Sequence, residues 1–201
     1  MELHRVHAIA TPVERSAVDE LLGPPDIDDG LERSEHGRPD QIRQQRHLLL
    51  PALHTVQDAI GWISEGALGY ICERLQVPPA EAYGVIGSYA LLSTQERASR
   101  VAHICDDIVC RNAGATTLTE EVSQAMDGDG AFGCEPSPCL GLCERAPAAF
   151  LQRAGGKDSV LAPASTSTVM SSLHDQTGAQ EHTPTYVSAP QTIEPRASGL
   201  R

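Results

Sequence analysis

The residues of this chain whose types and spacing best suit them to chemistry are cysteines. Four of the six cysteines form two close pairs, Cys105 with Cys110 and Cys139 with Cys143. Thiolates are soft anionic ligands, and a two-iron cluster needs the four terminal thiolates that two such pairs supply. Gly141, inside the second pair, would let backbone N–H groups approach the sulfur atoms. The pattern therefore favours a [2Fe–2S] cluster on these four cysteines.

Other interpretations of the two pairs remain open on spacing alone. A structural zinc ion also takes four thiolates, although the three-residue gap between Cys139 and Cys143 is off the usual pattern of zinc hairpins. A thioredoxin-type redox site needs C-x-x-C, which the chain lacks. Disulfides are rare in the cytoplasm, and unrelated buried thiols complete the alternatives.

The remaining cysteines and the histidines are expected to be bystanders. Cys72 lies on the apolar face of a predicted helix, and cysteine is among the most buried residue types. Cys134 is a rival ligand because it precedes Cys139 at the same spacing that separates the first pair, but its place in a predicted strand favours packing. His103 is the histidine near the cysteines in sequence, and we expect it to be a core or surface residue. No Ser-His-Asp order, phosphate-binding loop or GxGxxG motif indicates a catalytic or nucleotide site.

Composition and charge restrict the class of protein and its partners. Aromatic residues make up only 3% of the chain, which favours small helices packed through aliphatic side chains, and the formal net charge is −12. This charge disfavours nucleic acid or an anionic membrane as a partner. No apolar run approaches the ~20 residues that cross a bilayer, and the N-terminus lacks the apolar part of a secretory signal. We therefore expect a cytoplasmic protein without direct membrane insertion, placed at most at the cytoplasmic face of a membrane complex.

Four segments are predicted along the chain. Residues 1–39 lack a sustained hydrophobic period and are expected to be disordered or loosely attached. Residues 40–97 are expected to form a small helical bundle, and residues 98–174 a domain related to the thioredoxin fold. Residues 175–201 are rich in Thr, Pro, Gln, Ser and Gly, which indicates a disordered tail or a linker. The fold class is therefore α+β.

Periodicity and punctuation predict the elements of the two folded segments. The first helix starts at an Asp40 N-cap and stops at Gly61, the second opens at Ser64, and the third begins at Pro78-Pro79. A strand then runs into Cys105 and opens an α/β arrangement of strands and helices, with cysteines where strands end. The remaining predicted elements are a helix over about 112–126, a strand at 131–134, a hairpin of 148–151 with 159–161, and a helix over about 165–173.

Five motifs carry a resemblance to a known family. They are Leu50-Pro51-Ala52-Leu53-His54-Thr55-Val56-Gln57-Asp58, Gly61-Trp62-Ile63, Tyr83-Gly84-Val85, Cys105-x₄-Cys110 and Cys139-Leu140-Gly141-Leu142-Cys143-x₂-Ala146-Pro147. In this order, over residues 40–174, the chain resembles the 24-kDa [2Fe–2S] subunit family of respiratory complex I. The same family includes small subunits of NAD-dependent formate dehydrogenases and NAD-reducing hydrogenases. The chain departs from it at Ser88, where the family usually has an aromatic residue.

The resemblance implies an architecture and a function. It implies a helical bundle followed by a thioredoxin-like ferredoxin domain, with one [2Fe–2S] cluster on the four paired cysteines. The chain would be an electron-transfer subunit of an NAD(P)H-linked oxidoreductase, without a complete active site, and FMN and NAD(H) would lie on a partner flavin subunit. Asp106, Asp107 and Glu144 would lower the potential if their side chains point inward. The alternative is a zinc-stabilised adaptor without a redox role.

Overall fold

The computed structural model describes residues 8–25, 45–126 and 130–175 of the chain. A group of helices comes first, and a four-stranded sheet with flanking helices follows. The elements are α1 (Pro12–Leu22), α2 (Leu49–Ile60), α3 (Glu65–Leu75), α4 (Pro79–Ser88), β1 (Arg100–Cys105), α5 (Ile108–Asn112), α6 (Ala115–Ala125), β2 (Phe132–Ser137), β3 (Ala149–Arg153), β4 (Ser159–Leu161) and α7 (Thr166–His174). The predicted α+β class is confirmed. Within these three ranges, none of the helices combines the length and apolar character needed to cross a membrane.

The sheet has the strand order β2-β1-β3-β4. β1 runs parallel to β2 and antiparallel to β3, and β3 and β4 form the predicted hairpin. Parallel neighbours need a crossover connection, which α5 and α6 provide. Because β1 and β2 are parallel, their last residues, Cys105 and Ser137, lie side by side at one end of the sheet. The segments that follow both strands therefore start from the same place.

Two hydrophobic cores underlie this architecture. The helical core is built on α2 and α3. Ser64 caps α3 and Gly61 ends α2 with a φ of 93°, as predicted, whereas α2 begins only at Leu49, after a 3-10 turn over Arg46–Leu48, rather than at Asp40. The second core lies between the sheet and helices α6 and α7. Fully buried members of the two cores include Leu53, Ile63, Ile71 and Leu75 in the first and Ile104, Val122, Leu151 and Leu173 in the second.

The interpretation of residues 1–39 as disordered or loosely attached is wrong for residues 12–22, which form α1. Thr11 and Glu14 make a reciprocal capping box, and Pro12 follows the cap. Val18 is fully buried in the helical core, and the Ser64 hydroxyl donates to Glu14 across the contact with α3. The predicted Asp40 cap and all of the tail except Asp175 lie outside the described residues.

Two glycines of α3 test how α1 is attached. A Cβ at Gly66 would lie 2.7 Å from the carbonyl carbon of Ile9 and 2.8 Å from the amide nitrogen of Ala10, whereas a Cβ at Gly69 would meet open space. We expect Gly66→Ala to push the N-terminal segment away and cost about 1–3 kcal/mol. Gly69→Ala should instead stabilise the protein by up to about 1 kcal/mol, because alanine favours helix. Urea unfolding measures both, and equal effects of the two substitutions would contradict the close approach.

Candidate metal centre

The four paired cysteines lie at the end of the sheet where strands β1 and β2 finish. Cys105 is the last residue of β1 and Cys110 lies on α5, whereas Cys139 and Cys143 lie in the loop after β2. The inner pair, Cys105 and Cys110, is buried at 1% and 2% exposure. The outer pair, Cys139 and Cys143, is exposed. The site therefore has one side within the protein and one side at its surface.

The outer pair has the geometry of two ligands to one ion. The sulfur atoms of Cys139 and Cys143 are 3.5 Å apart. Two thiolates on one tetrahedral metal with bonds of about 2.3 Å lie about 3.8 Å apart. Gly141 has a φ of 76°, a conformation that glycine adopts without strain and that turns the loop back between the two cysteines.

Electrostatics connects the inner pair with the outer pair. Burial raises the pKa of the Cys110 thiol, as do a hydrogen bond with Cys105 and the charge of Cys143. A hydrogen bond with Cys139 and its charge raise the pKa of Cys143, and the Cys105 charge adds to this effect. Thiols that oppose one another's ionisation in this way become thiolates readily only beside a cation. Four sulfur donors that share one site in this way fit an iron–sulfur cluster.

The four cysteine thiols form two pairs rather than one compact group of ligands. In the part of the chain that the structure describes, no set of three or more His, Cys, Asp or Glu side chains surrounds a single metal position. A two-iron cluster requires no such set, because each iron takes two of the four terminal thiolates.

The carboxylates near the cysteines interact mostly with groups other than the thiols. Asp106 accepts two hydrogen bonds from Arg111, at 2.5 Å and 2.9 Å, which lower the pKa of its carboxyl. Asp107 accepts from the backbone N–H of Ile108 and caps α5. Glu144 is exposed on the surface. The charge of Asp107 helps to raise the pKa of Cys143, whereas Asp106 pairs with Arg111 and Glu144 is exposed. The three carboxylates therefore do not all point toward the thiols, as a lowered potential would require.

Ala148 supports the inner pair through its backbone and has no signature in the sequence. Its carbonyl oxygen accepts from the Cys105 amide at 2.9 Å, and its own amide donates to the Cys110 sulfur, which lowers the pKa of that thiol. Hydrogen bonds of this kind orient metal ligands and tune a bound metal. Any residue type except proline supplies the same amide, so only the fold identifies this contact.

The three residues expected not to be ligands, Cys72, Cys134 and His103, are buried or half-buried. Cys72 is buried on α3, and burial raises the pKa of its thiol to about 11. Cys134 is a half-buried β2 residue whose sulfur accepts from the Ser123 hydroxyl. His103 is fully buried in β1, where its Nε2 lies 3.2 Å from the Gln152 side-chain oxygen. Burial lowers the pKa of His103 and favours the neutral ring.

Comparison with known proteins shows that most of the chain matches a family model. The family model described as thioredoxin-like [2Fe-2S] ferredoxin matches residues 37–180. This span includes the four paired cysteines, both cysteine loops and the helices from α2 onward.

Two curated relatives are named as subunits of NADH-quinone oxidoreductase. The protein from Pseudomonas aeruginosa is 30% identical over 109 residues, or 51% of this chain and 66% of the relative. The protein from Aquifex aeolicus is 27% identical over 111 residues, or 52% of this chain and 69% of the relative. The matched region thus spans about two thirds of these relatives.

A solved structure has a similar fold. It is a chain of an NAD+-reducing [NiFe]-hydrogenase in the air-oxidized state, with a TM-score of 0.50 and 20% sequence identity. The match covers 63% of this chain and 22% of the hydrogenase chain. At this level of identity, the likeness concerns the fold.

Proposed function

We propose that this chain, which belongs to the thioredoxin-like [2Fe–2S] ferredoxin family, holds its [2Fe–2S] cluster on Cys105, Cys110, Cys139 and Cys143. We further propose that it is the iron–sulfur subunit of an NAD(P)H-linked oxidoreductase and exchanges electrons with a flavin subunit that carries FMN and NAD(H). Relatives named as NADH-quinone oxidoreductase subunits support this assignment. A cytoplasmic location fits the same proposal.

The observation that carries the proposal is the meeting of both cysteine pairs at one edge of the sheet. The inner pair would hold one iron within the protein, where burial keeps water away from it. The outer pair would hold the second iron at the surface. A bound cluster supplies one-electron transfer, whereas hydride chemistry belongs to flavin and nicotinamide cofactors. The exposed outer pair would therefore form the side of the site that a partner subunit approaches.

Metal and sulfide analysis of the anaerobically purified full chain tests this proposal. We expect about two iron atoms and two sulfides per chain, with visible absorbance. We expect NADH to bleach this absorbance only when the flavin subunit is present, because this chain is proposed to lack the hydride-accepting cofactor. Zinc at one atom per chain, with negligible iron and sulfide, would instead support the adaptor function.

A further inference from the structure

The two halves of the cysteine site differ in their access to small oxidants. The outer cysteines, Cys139 and Cys143, are exposed, and their sulfur atoms are 3.5 Å apart. The inner pair, Cys105 and Cys110, is almost completely buried. Reaction with a disulfide requires a thiol that the reagent can reach and a second thiol close enough to complete the exchange. The outer pair meets both requirements.

The outer loop also has room to close. A disulfide bond is about 2.05 Å long, so the outer sulfur atoms must approach each other by about 1.5 Å. Gly141 lies between the two cysteines, and a Cβ at this position would meet no atom within 4 Å. The two cysteines are exposed and their sulfur atoms are already within hydrogen-bonding distance.

We propose that, in the chain without its cluster, Cys139 and Cys143 form a disulfide by exchange with a low-molecular-weight disulfide, while Cys105 and Cys110 remain thiols. One outer thiolate attacks the small disulfide and displaces one small thiol, and the other outer thiolate then displaces the second. The cysteines lose two electrons and two protons in total, and the small disulfide gains them as two thiols. The outer pair is then a redox-controlled modification site.

This modification would control cluster assembly, a consequence that rests on the proposed function. Iron binds thiolates, and a disulfide removes two of the four proposed ligands at once. Cluster insertion would then require prior reduction of the outer pair. Because the inner pair stays reduced, a single two-electron reduction would restore the complete ligand set.

The sequence allows a direct readout by peptide mapping. Trypsin cleaves after Arg100, Arg111 and Arg145, which places the inner pair on residues 101–111 and the outer pair on residues 112–145. The full chain carrying Cys134→Ala, stripped of iron without oxygen, is treated with glutathione disulfide. It is then unfolded in the presence of N-ethylmaleimide, which labels free thiols, and digested with trypsin. The peptide masses are measured by mass spectrometry. We expect peptide 112–145 to be two hydrogens lighter and unlabelled, and peptide 101–111 to carry two labels.

Cys143→Ser in the same background is the matched control. It should leave one glutathione on Cys139, because no second outer thiol remains to displace it. A disulfide within peptide 101–111, a bond joining the two peptides, or two free outer thiols would overturn the proposal.

Transfer of a preformed [2Fe–2S] cluster from a donor complex, without free sulfide or thiol that would itself reduce a disulfide, separates the modification from the proposed function. We expect the oxidised chain to regain its absorbance only after a reductant is added, and recovery without a reductant would overturn the control of assembly. If the outer disulfide forms but even the reduced chain takes up no cluster, the modification site stands and the proposed function fails.

Discussion

Alanine at any one of the four paired cysteines should abolish or strongly weaken the visible absorbance of the protein. The variants are Cys105→Ala, Cys110→Ala, Cys139→Ala and Cys143→Ala. Each loses one of four thiolates, and water or another side chain must replace it. Changes in groups that merely support metal ligands typically cost about 10–100-fold in affinity, so we expect at least about a tenfold loss of bound cluster. Absorbance and iron content per chain after anaerobic purification measure the effect.

Cys72→Ala and Cys134→Ala are the matched controls. Cys72 packs in the helical core and Cys134 packs against the core beneath the sheet. Neither is a proposed ligand, so the cluster should survive, at a cost of about 1 kcal/mol of stability each. Cys134 is the sharper control, because it precedes Cys139 at ligand-like spacing. A colourless Cys134→Ala variant together with a coloured Cys143→Ala variant would show that the second pair of ligands is wrongly assigned.

Much of the candidate site could be predicted from sequence because its chemistry belongs to side chains. Two cysteine pairs at strand ends, together with the motif around Gly141, are sufficient to propose four ligands for two iron atoms. The difference in burial between the inner and outer pairs has no such marker. Cys105 ends β1, an inner strand of the sheet, whereas Cys139 and Cys143 lie in the loop after β2, an outer strand.

The fold could be predicted where local residues determine it. Ser64 caps α3 and Gly61 ends α2, and both are local effects of side chain or backbone. The helix predicted over about 112–126 is found as Ala115–Ala125, and it begins after Gly114, whose φ is 94°. The separate short helix Ile108–Asn112, which carries Cys110, was not predicted. Helix α1 was harder to predict because so short a helix gains most of its stability from contacts distant in sequence.

Arg97 shows how tertiary contacts can change the meaning of a polar segment. Residues 97–100 have the composition of a boundary between domains, yet the Arg97 side chain is only 9% exposed. Its Nε donates to the carbonyl oxygen of Gly61 at 2.8 Å. Its two Nη atoms donate to Glu135 on β2 at 3.1 Å and to Gln152 on β3 at 2.5 Å. One guanidinium therefore joins the end of α2 to two strands of the sheet.

Arg97→Ala should consequently be among the most destabilising single substitutions in this protein, at about 2–4 kcal/mol. Glu135 is 42% exposed and stays hydrated after the change, so the lost ion pair itself contributes little. The Gly61 carbonyl lies in a buried residue, and a buried acceptor that loses its donor costs about 1–3 kcal/mol. The buried Gln152 side-chain oxygen keeps its contact with His103 Nε2 at 3.2 Å, so its loss of the charged donor adds a smaller part. Arg97→Lys keeps the charge but not the planar fork of donors, so it should restore only part of the stability.

Arg46→Ala provides the matched control, because Arg46 forms an ion pair with Glu81 in which both side chains are more than 40% exposed. Exposed pairs contribute about 0–1 kcal/mol, so this substitution should change stability by no more than that. Urea unfolding of the three variants, followed by both tryptophan fluorescence and circular dichroism, measures the differences. Trp62 is the single tryptophan and follows Gly61 directly, so its fluorescence reports on the junction that Arg97 makes. If Arg97→Ala were no more destabilising than Arg46→Ala, the guanidinium would not be what joins the helical core to the sheet.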